Sequence, residues 1–140
     1  MIRSNRIFFE IAKNVSKLSD YKKTRLGAVV VDGKRILSTG YNSNKTNPTQ
    51  ARYNQYREID VAFPAKVHAE VSALNSLIGK KDIDFHNLKL FVYRELKDGS
   101  IAMARPCPSC MALIKDLGIK KIYYTTPDGY VEEDIRDITR

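Results

Sequence analysis

The chain contains two cysteines, and both fall in one short run, Pro106-Cys107-Pro108-Ser109-Cys110. Its histidines are also two, His68 and His86. A thiolate-based metal site therefore has almost no choice of ligands, and a fold that builds one must bring the Cys-x-x-Cys segment up to His68-Ala69-Glu70. Residues three apart at a helix start lie on one face about a turn apart, so the two sulfurs converge and suit a tetrahedral ion. His68 and Glu70 diverge by about 200° around a helix, and both serve one centre only if the helix end itself points at it.

The order of elements is compatible with that convergence. Ile7, Phe8, Ile11, Ala12, Val15 and Leu18 predict a helix over about 3–19 whose apolar stripe covers a sheet. Leu26–Val31 reads as a strand, Asp32-Gly33 as a tight turn, and Arg35–Tyr41 as a second, antiparallel strand. Residues 42–66 are polar and carry Pro48 and Pro64, which predicts a long loop with at most a helical turn. Val67, Val71, Leu74 and Ile78 predict a second helix ending at Gly79, with His68 and Glu70 in its first turn.

Leu88–Arg94 is a third strand. Pro106 announces a third helix that turns Cys110, Leu113, Ile114 and Leu117 inward and ends at Gly118, and Lys121–Thr126 is a fourth strand. A strand, helix, strand unit makes strands three and four parallel through a right-handed crossover. Pro127-Asp128-Gly129 is too short for another crossover, so Tyr130-Val131-Glu132 returns as a short antiparallel fifth strand. Val131, Ile135 and Ile138 also fit a helical stripe, which leaves a terminal helix as the alternative. Residues 1–140 read as a single α/β domain.

The first residues lack the apolar core of a signal peptide, and no window approaches a membrane-spanning run, so the expectation is a soluble intracellular protein whose cysteines stay thiols. Lysine and arginine number 24 against 16 acids, a net +8, and the last nine residues hold four acids against two arginines, so the body upstream is more basic still. Such a body attracts phosphate-bearing partners, although a solvated basic surface has the same composition. Lys45, Arg52, Arg57 and Lys66, with Tyr53 and Tyr56 among them, stand just upstream of His68. They can grip a 5′-phosphate, stack an unpaired base, or line an ordinary polar lid.

Two thiolates and one neutral imidazole give Zn2+ three protein ligands and leave a fourth position for water, the arrangement of a catalytic site. The helix N-termini add positive potential, which helps such a water ionise. Glu70, not counted as a ligand, then accepts that proton and passes it on. A noncatalytic zinc module needs a fourth protein ligand, and His86, in Asp84-Phe85-His86-Asn87, reads instead as an exposed loop residue.

His68-Ala69-Glu70 followed by Pro106-Cys107-Pro108-Ser109-Cys110 resembles the zinc-dependent cytidine and deoxycytidylate deaminase superfamily, whose established signature is H-x-E with P-C-x-x-C. Leu26–Val31, Asp32-Gly33, Thr39-Gly40-Tyr41-Asn42 and Leu117–Tyr124 resemble the family's order as well, over about residues 5–126. The resemblance implies a three-layer α/β/α fold with a mixed five-stranded sheet, strands 1 and 2 antiparallel, 3 and 4 parallel, and the last antiparallel. It implies zinc on His68, Cys107 and Cys110 and Glu70 as proton shuttle. A zinc-activated hydroxide then attacks the ring carbon that bears the exocyclic amine, and ammonia leaves.

By the same resemblance Ala69 N–H and Asn42 contact the base or sugar, while Arg52 and Arg57, from the basic loop ahead of His68, are further substrate contacts read from the residues alone. The substrate expected is a cytosine nucleotide or nucleoside, dCMP-like or cytidine-like. A deaminase of single-stranded DNA or RNA, acting on cytosine or adenine, is the alternative. Relatives acting on nucleic acid commonly separate parallel fourth and fifth strands by a helix, and the short 127–129 link departs from that pattern. Assembly into a homo-oligomer of at least two copies and a cytoplasmic setting in pyrimidine metabolism complete what the resemblance implies.

Overall fold

The computed structural model describes residues 3–20, 23–43 and 68–135. The sequence readings of Lys45, Pro48, Arg52, Tyr53, Tyr56, Arg57, Pro64, Lys66, Val67 and Ile138 lie outside these residues.

Five strands form one sheet in the order β2-β1-β3-β4-β5. β1 (Thr24–Asp32) and β2 (Arg35–Tyr41) pair antiparallel, and the Gly33 of their turn has φ +63°, which favours glycine. β1 also pairs antiparallel along its length with β3 (Leu88–Leu96), which pairs parallel with β4 (Lys121–Thr126). β5 (Gly129–Asp134) returns antiparallel to β4, as the short 127–129 link predicts. Val131 therefore belongs to a strand, and the helical alternative does not hold for it.

β1 reads as a continuous apolar run because both of its faces are covered. Val29 and Val31 face α1 (Arg3–Ser16) together with Phe8, Phe9, Ala12, Phe91, Tyr93 and Tyr123. Ala28 and Val30 face the opposite layer, where α2 (Ala69–Asn75) and α3 (Pro108–Leu117) bury Val71, Leu74, Leu113 and Ile114 against Leu90, Val92 and Ile122. The result is the three-layer α/β/α arrangement with a mixed sheet.

The inward stripe of α1 differs from the predicted one. Asn5, Phe8, Phe9, Ala12 and Ser16 are buried, whereas Ile7 is 49% exposed and Leu18, beyond the helix end, 65%. Phe9 takes the central place because its ring stacks on Tyr130 at 4.2 Å and meets the edge of Phe91 at 5.3 Å. The second helix is also shorter than predicted: it ends at Asn75, turns follow, and Ile78 is exposed while Leu77 is buried.

Two glycines set how closely the layers approach. A Cβ on Gly27 would run into the Ala12 carbonyl oxygen and lie 2.7 Å from the Ser16 nitrogen, so α1 crosses the sheet over that residue. On the other face a Cβ on Gly40 would run into the Ala73 nitrogen and lie 2.6 Å from the Ala69 carbonyl oxygen. The first turn of α2 thereby rests on the end of β2.

Residues 97–105 carried no structural reading from sequence, and the helix that Pro106 announces begins at Pro108. The chain turns at Lys97-Asp98-Gly99, with Gly99 at φ +88°, and comes back as an extended strap. Ala102 N–H donates to the Arg94 carbonyl at 3.0 Å, and Ala104 N–H donates to that of Thr125 at 2.9 Å. Thr125 Oγ1 accepts from Arg94 N–H and donates to the Ala102 carbonyl. The strap thus lies between the carboxyl ends of β3 and β4, where those strands no longer pair with each other.

Candidate active site

At the same end of the sheet the N-termini of α2 and α3 converge. His68 is the N-cap of α2 and Cys107 the N-cap of α3, both extended and neither using its side chain to cap the helix. Pro108 supplies the first helical residue of α3, a position where its missing N–H costs nothing. Cys110 follows one turn later and is fully buried, so its sulfur is fixed by the packing of the helix.

His68 Nδ1 lies 3.2 Å from Cys110 Sγ and 3.5 Å from Cys107 Sγ, and the three donor atoms all fall within 4.8 Å of one another. Zinc bond lengths of about 2.3 Å to sulfur and 2.0–2.1 Å to nitrogen put a tetrahedral N···S separation at about 3.6 Å. The donor set therefore fits zinc in both geometry and softness. Nδ1 faces both sulfurs, so it is the nitrogen that would meet a bound metal. Among the described residues no other group of donors converges in this way.

The two thiols are unequal. Hydrogen bonding from Cys110, then from His68 and from Ser109, whose Oγ is 3.1 Å away, pulls Cys107 down to about 3. Cys110 is held well above the ordinary thiol value by its bond to Cys107 and by burial. A bound dication removes that inequality, since a coordinating thiol is deprotonated outright.

Glu70, in the first turn of α2, is 3% exposed, and its Oε1 has no hydrogen-bond partner among the described residues. Burial pushes this carboxyl up to about 7, against the opposing pull of His68. Leaving such an oxygen buried and unpaired is costly unless something else comes to it. Glu70 is not one of the converging donors, and its interactions with His68 and Cys107 put it beside those candidate ligands as a carboxyl able to hold or release a proton near neutral pH.

Asn42 is buried at the end of β2, and its side chain serves β1: Oδ1 accepts from Leu26 N–H at 2.9 Å, and Nδ2 donates to the Thr24 carbonyl at 3.1 Å. Two of the four hydrogen-bonding valences of its amide are thus structural. Ala69 is fully buried at the first position of α2, where an N–H has no intrahelical acceptor. His86 is exposed and packs on Gly118, away from the metal ligands, as its loop reading implied. Arg52 and Arg57 lie outside the described residues.

Sequence reasoning missed the supports of the Cys107 loop. Arg105 makes two 2.9 Å bonds to the Glu133 carboxylate, from Nε and from Nη2, and Glu133 also accepts from Tyr124 O–H at 2.9 Å. The available signal was Arg105 standing just before Pro106-Cys107, but its acid partner lies in a stretch that reads as an acidic tail.

Residues 2–126 match the family described as cytidine and deoxycytidylate deaminase zinc-binding region. An uncharacterized deaminase in the luxG 3′ region of Aliivibrio fischeri is 31% identical over 117 residues, 83% of this chain and 68% of the relative. A deoxycytidylate deaminase of Mycobacterium phage D29 is 30% identical over 129 residues, 84% of this chain and 90% of the relative. Among solved structures, the dCMP deaminase of cyanophage S-TIM5 superposes with a TM-score of 0.61 at 27% identity, covering 90% of this chain and 86% of that one. The same phage enzyme in complex with dCMP and dUMP superposes at 0.59 with 25% identity, covering 90% and 84%. No described helix is long and apolar enough to cross a membrane.

Proposed function

The chain belongs to the cytidine and deoxycytidylate deaminase zinc-binding family, and from that membership we propose that this zinc-dependent deaminase hydrolyses the exocyclic amine of a deoxycytidine nucleotide of the dCMP type. The observation that carries the chemistry is the buried Glu70 Oε1, without a hydrogen-bond partner among the described residues, beside the ligand set His68, Cys107 and Cys110. The choice of nucleotide is supported by the relative named deoxycytidylate deaminase and by the similar phage enzyme in complex with dCMP and dUMP.

His68, Cys107 and Cys110 would hold zinc, which when bound would supply Lewis acidity toward a water. Hydrolysis puts the oxygen of that water on the ring carbon and breaks the bond from carbon to the exocyclic nitrogen, which leaves as ammonia. Both protons of the water must travel, one to the ring nitrogen and one to the leaving amine, and Glu70 Oε1 is proposed to carry them in turn. Ala69 N–H, at the amino end of the α2 hydrogen-bond ladder where no intrahelical acceptor faces it, is the donor proposed for the base. Asn42, with two amide valences committed to β1, is proposed to offer the remainder to sugar or base. Arg52 and Arg57 are proposed to hold the 5′-phosphate, since an arginine fork matches its oxygens. A homo-oligomer of at least two copies, a cytoplasmic setting that keeps both cysteines as thiols, and a single domain over 1–140 belong to the same proposal.

The test is ammonia release from cytosine, adenine and guanine compounds, each offered as base, nucleoside, nucleotide and single-stranded oligonucleotide. Turnover of dCMP that disappears in Glu70→Ala is the expected result. Turnover of oligonucleotides with mononucleotides ignored would overturn the substrate, and unchanged turnover in Glu70→Ala would overturn the mechanism.

A further inference from the structure

The three metal ligands are not equally anchored. His68 opens α2, whose first turn rests against Gly40, and Cys110 sits inside α3 with its side chain fully buried. Cys107, like His68, is half-buried and precedes the first helical residue of its helix, but it is reached through the 101–106 strap. The strap is tied to β3 at Ala102 and to β4 at Ala104 by backbone bonds. Its last tie before the ligand is the two-bond fork from Arg105 to Glu133 on β5, and that carboxylate is itself held by Tyr124 O–H. Beyond it stands only Pro106, whose locked φ transmits the position of Arg105 to Cys107 with little slack.

We propose that the Arg105–Glu133 pair is a positioning device for Cys107, so that the last strand of the sheet sets how tightly the centre holds zinc. The proposal rests on the zinc reading of the site and deepens it. Glu133 lies beyond residues 2–126, the part matched by the family, while Arg105 lies within it. Side-chain exposure of 42% for Arg105 and 20% for Glu133 means the pair adds little to global stability. Its effect is local, on one sulfur. Hydrogen-bonded supports behind metal ligands commonly change affinity by about 10–100-fold.

The test measures zinc affinity by competition with a chromophoric chelator, alongside the melting temperature of the metal-free protein. Glu133→Gln and Arg105→Met are expected to weaken zinc binding about tenfold or more with the metal-free melting temperature nearly unchanged. Arg105→Lys, which keeps the charge and loses the fork, should fall between wild type and Arg105→Met. Tyr124→Phe removes one bond to Glu133 and the hydroxyl beside Arg105 while leaving the fork in place, and a smaller loss of affinity is expected. Glu132→Gln, which breaks the neighbouring 4.0 Å pair with Lys121, should leave affinity alone. Zinc affinity unchanged in Glu133→Gln and Arg105→Met, or lowered equally by Glu132→Gln, overturns the proposal. Wild-type protein that binds no zinc would overturn the reading of the site, which separates the two failures.

Discussion

Ser38 Oγ donates to the Ala73 carbonyl across 2.8 Å, and that bond, next to the bare backbone of Gly40, holds α2 flat on β2. The register of this contact determines where His68 and Glu70 emerge.

Gly40→Ala is therefore expected to act on the site as well as on the fold. The added methyl meets backbone at Ala73 and Ala69, which can yield only by lifting the first turn of α2. Loss of about 1–3 kcal/mol by denaturant titration is expected, together with weaker zinc binding. Gly27→Ala, which meets the α1 backbone on the opposite face, should cost a similar amount of stability and leave zinc affinity of the folded protein intact.

Glu70→Gln keeps the shape of the side chain and removes its proton chemistry. Turnover of dCMP should fall by about 10²–10⁴-fold, with zinc content by elemental analysis equal to wild type because Glu70 is not a ligand. Loss of zinc in this variant would place Glu70 in the metal shell instead.

The two thiols should differ toward alkylating reagents. In metal-free protein Cys107, half-buried at a helix start, reacts first and Cys110, fully buried, much more slowly. Zinc should protect both, and a chelator should abolish activity until zinc is restored. Two thiols that react at one rate would contradict the burial difference.

Glu133 gives a pH dependence whose sign is fixed by its partners. The Arg105 fork, then Tyr124 O–H, holds its carboxyl below the usual 4.5. A depressed carboxyl contributes stability that is present above its unfolded value and is lost as pH falls through the folded one. Because the pair is partly exposed, the contribution is about 0.5–1 kcal/mol. Denaturant midpoints measured from pH 6 down to 3 should show a shallower acid limb in Glu133→Gln than in wild type.

Strand identities, the parallel β3–β4 unit and the antiparallel β5 were legible because each rests on local information: β-branched runs, a turn dipeptide, a link too short for a helix. The convergence of His68, Cys107 and Cys110 was legible from scarcity of ligands and from the resemblance. The α1 face was misread because Ile7 and Leu18 share a helical period with Ile11 and Val15, and periodicity does not say which of two apolar stripes meets the sheet. The strap escaped because its bonds are backbone bonds to Arg94 and Thr125, made by residues whose side chains carry no periodic pattern. The Arg105–Glu133 pair escaped for a related reason, since an ion pair 28 residues apart in sequence leaves no local mark.

The turn at Lys97-Asp98-Gly99 is exposed, and the chain on either side is pinned independently, by Leu96 N–H donating to the Ser100 carbonyl and by the bonds at Ala102 and Ala104. Length added at the tip is absorbed before it reaches Cys107. That makes this corner a docking port for protein engineering, where a fluorophore or peptide tag can be carried close to the catalytic end of the molecule without shifting the sulfur two residues past Arg105.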